Sequence, residues 1–226
     1  MTKLVARVAS AILFAGLAIG ALQRACFAPQ STASATAAAE PEKDFVSLFD
    51  GHTLSGWEGD TDLWKAENEM LVGDSAGIAH NEFLATKKSY GDFELQLEFK
   101  LHQGAGNSGI QFRSKRVADS REVSGYQADV GEKYWGCLYD ESRRNKVLVQ
   151  APAELEKKLH HGDWNTYVIR AEGNHITLTV NGVKTVDYHE EDEAIAREGI
   201  IALQIHAGGP LRVEFRKLRI KVLKHR

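Results

Sequence analysis

Nine residues, Phe93 to Leu101 (FELQLEFKL), restrict the fold more than any other stretch. Phe93, Leu95, Leu97, Phe99 and Leu101 recur at every second position, with Glu94, Gln96, Glu98 and Lys100 between them. Side chains of a strand alternate between its faces, whereas a helix would scatter these five around its circumference. The stretch is therefore a strand with one apolar face to bury and one polar face turned to solvent or a groove. Glu94 and Glu98 fall on the same side, about 13 Å apart at the usual strand rise. That is too wide for the carboxylate pair of a retaining glycosidase, so the polar face reads as solvated surface.

The same period recurs along the chain. Trp164–Ala171 and Asn174–Val180 read as strands, and Asn181-Gly182 is a two-residue hairpin signal, since both residues accept the positive φ that such a turn requires. Gly199–Ala207 places Ala202, Gln204 and His206 on one face and Ile201, Leu203 and Ile205 on the other. Near the end, Leu211, Val213 and Phe215 keep odd register but Leu218, Ile220 and Val222 keep even register. One extra residue near Arg216-Lys217, a β-bulge, is needed to keep both sets in the core. Helix signals are confined to Ala151–Leu159 and Glu190–Arg197. Many short strands divided by glycine turns predict an all-β fold, a two-sheet antiparallel β-sandwich of jelly-roll type.

Lys3 and Arg7 precede an uncharged, largely apolar run from Val8 to Leu22, followed by Ala, Ser and Thr. This is the pattern of a secretory signal peptide, placed at residues 1–28, and the run falls short of the roughly 20 apolar residues that span a bilayer. Cys26 is an alternative attachment point for a lipid anchor, although Gln23 and Arg24 suit such a site poorly. Residues 29–44 read as a linker and residues 45–224 as one domain. Loss of Lys3, Arg7 and Arg24 moves the formal charge from −3 to −6. An acidic exported domain lacks the basic footprint of a nucleic-acid binder, and no membrane span is expected in it. With Cys26 removed, Cys137 has no partner for an intramolecular disulfide, so the fold must rest on its apolar core.

Candidate chemistry gathers between Gly104 and Asn145 and at His206. On the first strand of that stretch Asn107, Gln111 and Arg113 share a face; on the second, Gln127 and Asp129 do. Trp135 and Tyr139 share a face in the next segment and would border a groove. Flat aromatic surface beside fixed hydrogen-bonding groups suits a sugar or other polyol. Arg113 reads either as an anchor for a carbonyl or enolate oxygen or as an ion-pair partner of Asp129. His206 can exchange a proton near neutral pH. The run from Asp140 to Lys146 reads as a charged loop at the groove rim. The chain has no glycine-rich phosphate loop, no G-x-S-x-G elbow and no H-E-x-x-H helix, and the adjacent His160 and His161 point apart if extended. No metal site and no cofactor is expected.

Taken in order, FVSLFDGHTLSGW, WKAENEMLVG, YGDFEL, GNSGIQFR, GYQADV, WNTYVI, NGV, GIIALQIH and VEFRKLRI closely resemble the 3-keto-disaccharide hydrolase domain family, long labelled a domain of unknown function, over about Phe45 to Leu223. The resemblance implies a concanavalin A-like jelly roll, export, and action on glucosides whose C3 hydroxyl has become a ketone. A C3 ketone acidifies the C2 proton, so one base, one acid and an oxyanion stabiliser suffice for elimination of the C1 substituent. The expected roles are Asp129 and His206 as the base and acid partners, either one filling either role, Arg113 as stabiliser, and Asn107, Gln111, Gln127, Trp135, Tyr139 and Gln204 as substrate-binding groups. Relatives resemble G-Y-E-x-Q where this chain has Gln127 and then Asp129, an exchange of acid and amide on one face. The alternative is a non-catalytic, lectin-like carbohydrate-binding module.

Overall fold

The structure is a computed structural model that describes residues 44–224. The expected signal peptide and all but the last residue of the linker lie outside the described residues. Fifteen strands follow in chain order: β1 (Val46–Ser47), β2 (Trp57–Glu58), β3 (Trp64–Glu67), β4 (Met70–Ser75), β5 (Glu82–Thr86), β6 (Phe93–Leu101), β7 (Asn107–Arg116), β8 (Val123–Gly131), β9 (Leu138–Glu141), β10 (Lys146–Val149), β11 (Asn165–Glu172), β12 (His175–Val180), β13 (Val183–His189), β14 (Ile200–Ile205) and β15 (Leu211–Val222). They form two antiparallel sheets. One has the order β13-β12-β11-β6-β15-β4-β3 with β1 added to β15, and the other has the order β10-β9-β8-β7-β14-β5-β2. This is the expected jelly-roll sandwich. Only short 3-10 turns, at His102–Gly104 and Ala153–Lys158, interrupt it among the described residues.

The apolar face of β6 is wholly buried, and it meets Ile110 and Phe112 of β7, Tyr126 and Ala128 of β8, and Leu203 and Ile205 of β14 in one core. Phe93 and Phe112 pack edge to face across the sandwich at 6.3 Å, while Phe112 stacks on Tyr126 at 5.6 Å. Each such side chain contributes about 1.5–3 kcal/mol through burial. The polar face of β6 is a solvated ladder of ion pairs, as expected: Glu94 holds Arg170, and Glu98 holds Arg216 and Lys217.

Two irregularities position everything else. The register of β15 against β6 shifts between Arg216 and Arg219, with Lys217 at φ +53°, and so Phe215 and Leu218 are both buried. That is the bulge the parity change demanded. A second bulge interrupts β7 between Phe112 and Lys115, where Arg113 has φ +47°. Alternation stops at this point, and Arg113 does not share the face of Gln111. Instead its guanidinium crosses to the first sheet, donating to the carbonyls of Gly91 (2.9 Å) and Gly173 (2.7 Å) and to Asp92 Oδ1 (2.7 Å). Asp92 Oδ1 also accepts the Gly173 N–H at 2.9 Å. The expected anchor of a substrate oxygen is thus a clasp between the sheets, paired with Asp92 and not with Asp129.

Arg113 is 3% exposed, and removing one partner of a buried ion pair strands the other. Arg113→Ala should cost about 3–5 kcal/mol in urea unfolding. A loss below about 1 kcal/mol, the value of a surface pair, would mean that the clasp is dispensable.

Candidate functional site

Strand pairing brings the outward residues of four strands together on the second sheet. Gln111 lies opposite Gln127, Gly109 opposite Asp129, Gln127 opposite Tyr139, and Ala202 opposite Gln111. Residues paired in this way share a face. The result is a cleft of about 120 Å³ lined by Asn107, Gln127, Asp129, Tyr134, Tyr139, Glu141 and His206. Five of the nine expected residues are therefore in its wall. Gln111 and Gln204 lie fully buried on the same face and support it from beneath.

Trp135 does not. It is buried in the core, 6.2 Å from the Phe99 ring and edge-on to His161 at 5.3 Å. The segment between β8 and β9 is a tight turn and not a strand. Gly136 N–H donates to Asp129 O, Cys137 N–H donates to Tyr134 O, and Gly136 has φ +69°. The turn sends Trp135 inward and leaves Tyr134 at the cleft, its ring edge-on to Tyr139 at 6.2 Å. Glu141 is the other residue that the sequence reading missed, having been placed in a rim loop. It is the last residue of β9, two beyond Tyr139 and opposite Gly125. Period two applied to Tyr139 would have found it.

A one-way chain of hydrogen bonds runs beneath the cleft. Ser114 Oγ donates to Gln111 Oε1 (2.9 Å), Gln111 Nε2 to Gln127 Oε1 (2.8 Å), and Gln127 Nε2 to Asp129 Oδ1 (2.7 Å). Each amide has its oxygen turned toward Ser114 and its nitrogen toward Asp129. Gly109 makes room for this: a Cβ there would stand 2.6 Å from Gln127 Cδ. The chain ends on Asp129, which is 3% exposed. Burial pushes the Asp129 carboxyl well above the usual range, against the opposing effect of the Gln127 bond, and Glu141 adds to the rise. Burial likewise raises Glu141, with Glu122 adding to the effect and His206 opposing it.

His206 follows the end of β14, where Ala207 N–H donates to Asn81 Oδ1 at 2.9 Å. The His206 Nδ1 lies 2.7 Å from the Ala207 carbonyl oxygen. A carbonyl can only accept, so Nδ1 carries a proton, and Nε2 is the ring nitrogen that this bond leaves available. Buried polar atoms around the cleft also lack partners: Asn107 Oδ1 and both ends of the Gln204 amide. The Gln204 amide is near enough to Glu141 to lower its pKa slightly, but makes no hydrogen bond of ordinary geometry. Unsatisfied buried groups mark a place for ordered water or a polar ligand.

A larger depression of about 780 Å³ lies on the outer face of the first sheet, beside Phe45 and Lys217. Its one carboxylate, Glu98, is neutralised by Arg216 and Lys217. The smaller cleft combines shifted carboxyls with an imidazole, the combination that marks a site of proton transfer.

Residues 44–221 match the 3-keto-alpha-glucoside-1,2-lyase-like domain family. The chain belongs to this family. No curated protein sequence matches it significantly. Among solved structures, a protein provisionally named a glycosyl hydrolase from Parabacteroides distasonis is similar to the lyase-like domain at a TM-score of 0.63 and 18% identity, covering 82% of this chain and 99% of its own. A carbohydrate-binding module from Bacillus subtilis reaches 0.58 at 19% identity, covering 74% and 95%. The β-glucanase of Bacillus licheniformis reaches 0.54 at 9% identity, covering 80% and 97%. At these identities the likeness establishes a fold shared by glycosidases and sugar-binding modules.

The buried acid of the lyase-like domain has a measurable cost. Folded protein keeps the Asp129 proton at pH values where the unfolded chain, with a carboxyl pKa of about 3.9, has released it. Its stabilising contribution is therefore full below that pH and declines as pH rises toward the folded-state value. Asp129→Asn, which keeps an oxygen for Gln127 Nε2, should flatten this decline and raise the urea midpoint at neutral pH. Equal midpoints for the two proteins from pH 4 to 8 would show that Asp129 is ionised in the fold.

Proposed function

We propose that the domain cleaves 3-keto-glucosides by elimination, with His206 as base and Asp129 as acid. Neutral His206 Nε2 takes the C2 proton, which the C3 ketone has acidified, and the electron pair forms an enolate whose negative oxygen is at C3. The ketone then re-forms as the C1–C2 double bond closes and the C1–O bond breaks. Asp129 gives its proton to the departing oxygen. The products are a 1,2-unsaturated 3-keto sugar and the free alcohol, and addition of water to the double bond would complete a net hydrolysis.

The observation that carries this reading is a single cleft that holds both an imidazole whose Nδ1 is tied to a carbonyl, leaving Nε2 available, and a buried carboxyl whose pKa burial raises. Burial raises the Asp129 carboxyl, and a carboxyl so raised can keep a proton to donate. Asn107 takes the oxyanion role expected of Arg113, because its amide lines the cleft and Arg113 does not. Tyr134 and Tyr139 offer the flat surface a pyranose ring packs against. Action outside the cytoplasm accords with the secretory pattern of residues 1–28.

The purified domain should release alcohol from 3-keto-glucosides and leave the unoxidised glucosides intact. Asp129→Asn and His206→Ala should each lower kcat by about 100-fold or more, the usual weight of one acid or base, with KM little changed. Release from both sugars at similar rates would overturn the elimination route. The tyrosine pair also favours a second reading, a carbohydrate-binding module without turnover. In that case both variants would keep the parent's sugar affinity and neither substrate would be cleaved.

A further inference from the structure

The outer face of the first sheet carries a group of histidines unconnected with the cleft. His175 of β12 lies directly opposite His189 of β13, and Asp187 of β13 is opposite Thr177, on the same face. The two imidazoles stack with centroids 4.1 Å apart and planes 3° from parallel. His175 Nε2 is 2.7 Å from Asp187 Oδ1. One ligand atom from each of the three residues lies within 4.8 Å of the other two, the one such group among the described residues.

An ion pair accounts for the His175 ring but not for that of His189, whose side chain makes no hydrogen bond among the described residues. The surrounding charges are Lys184, which bonds the other oxygen of Asp187, and Glu172, which is opposite His175 on β11 and is held by Arg170. We propose that His175, Asp187 and His189 form a surface site for a borderline divalent transition metal, Zn²⁺ in the first instance.

Two nitrogens and one carboxylate oxygen suit Zn²⁺, with water in the fourth position. Tetrahedral ligands about 2.0–2.1 Å from zinc stand roughly 3.4 Å apart, and the two rings, now parallel, must turn about their Cβ–Cγ bonds until their lone pairs converge on one ion. His175 and Asp187 are already nearer than that because they share a proton. Zinc displaces this proton to solvent, or shifts it to Nδ1 of the ring, and uptake is therefore opposed by acid. The rigid base is the β12–β13 ladder, closed at one end by the Asn181-Gly182 turn. Because β13 is the last strand of its sheet, a bound ion would fasten that margin.

The test is calorimetric titration of the metal-stripped full chain with Zn²⁺ alone at pH 7.5, with thermal unfolding alongside. One equivalent should bind and raise Tm. His189→Ala and Asp187→Asn should each weaken that binding at least tenfold and remove the Tm rise, with circular dichroism confirming that the fold persists. At pH 5.5 the parent should likewise lose at least tenfold in affinity. His206→Ala should bind as the parent does. No saturable uptake, or uptake abolished by His206→Ala but not by His189→Ala, would overturn the proposal.

Discussion

Burial of one face of β6 against β7, β8 and β14 determines which side chains of those strands look outward. With Ile110, Phe112, Tyr126, Ala128, Leu203 and Ile205 committed to the core, their neighbours in sequence have no choice of side. Gln111, Gln127, Asp129 and Gln204 come together on the opposite face for that reason alone. A slip of β8 by one residue against β7 would turn Gln127 and Asp129 into a core that could not satisfy them and expose Tyr126 and Ala128. The hydrophobic sandwich and the polar cleft are thus two consequences of one register.

The floor of the cleft is polar yet closed to water, and its hydrogen bonds are directional. Carboxamides offer a donor at one end and an acceptor at the other, so fixing Ser114 as donor orients Gln111, which orients Gln127. A carboxyl at the end of that chain receives one N–H and little else, and burial raises its pKa well above the usual carboxylate range. The arrangement is expensive for folding, since a leucine or valine in each place would bury more favourably. Polar groups held at such cost are characteristic of a place where chemistry or recognition occurs.

Much of this was legible in the chain. Strict period two identified β6, parity identified the bulge in β15, and Asn181-Gly182 identified the β12–β13 turn. Asn107, Gln127, Asp129, Tyr139 and His206 were placed by alternation and pairing. The misplacements share a cause. Arg113 and Trp135 were assigned by extending alternation across positions where the backbone departs from it, a bulge in one case and a tight turn in the other. Neither departure breaks the apolar pattern, because the bulge is followed by polar residues and the turn is too short to show a period. Glu141 was concealed by the charged residues after it, and the His175 cluster by the fourteen-position gap between its members' places in the sequence, 175 and 189. Cross-strand neighbours become visible only when the pairing is known.

The extra residue in β7 serves two sides at once. It turns Arg113 toward the first sheet, and it leaves Ser114 able to start the amide chain on the second. Deleting one residue there would straighten the strand and remove both together, whereas substitutions can alter either alone. A point mutation can therefore alter the clasp or the cleft alone, whereas the length of β7 governs both at once.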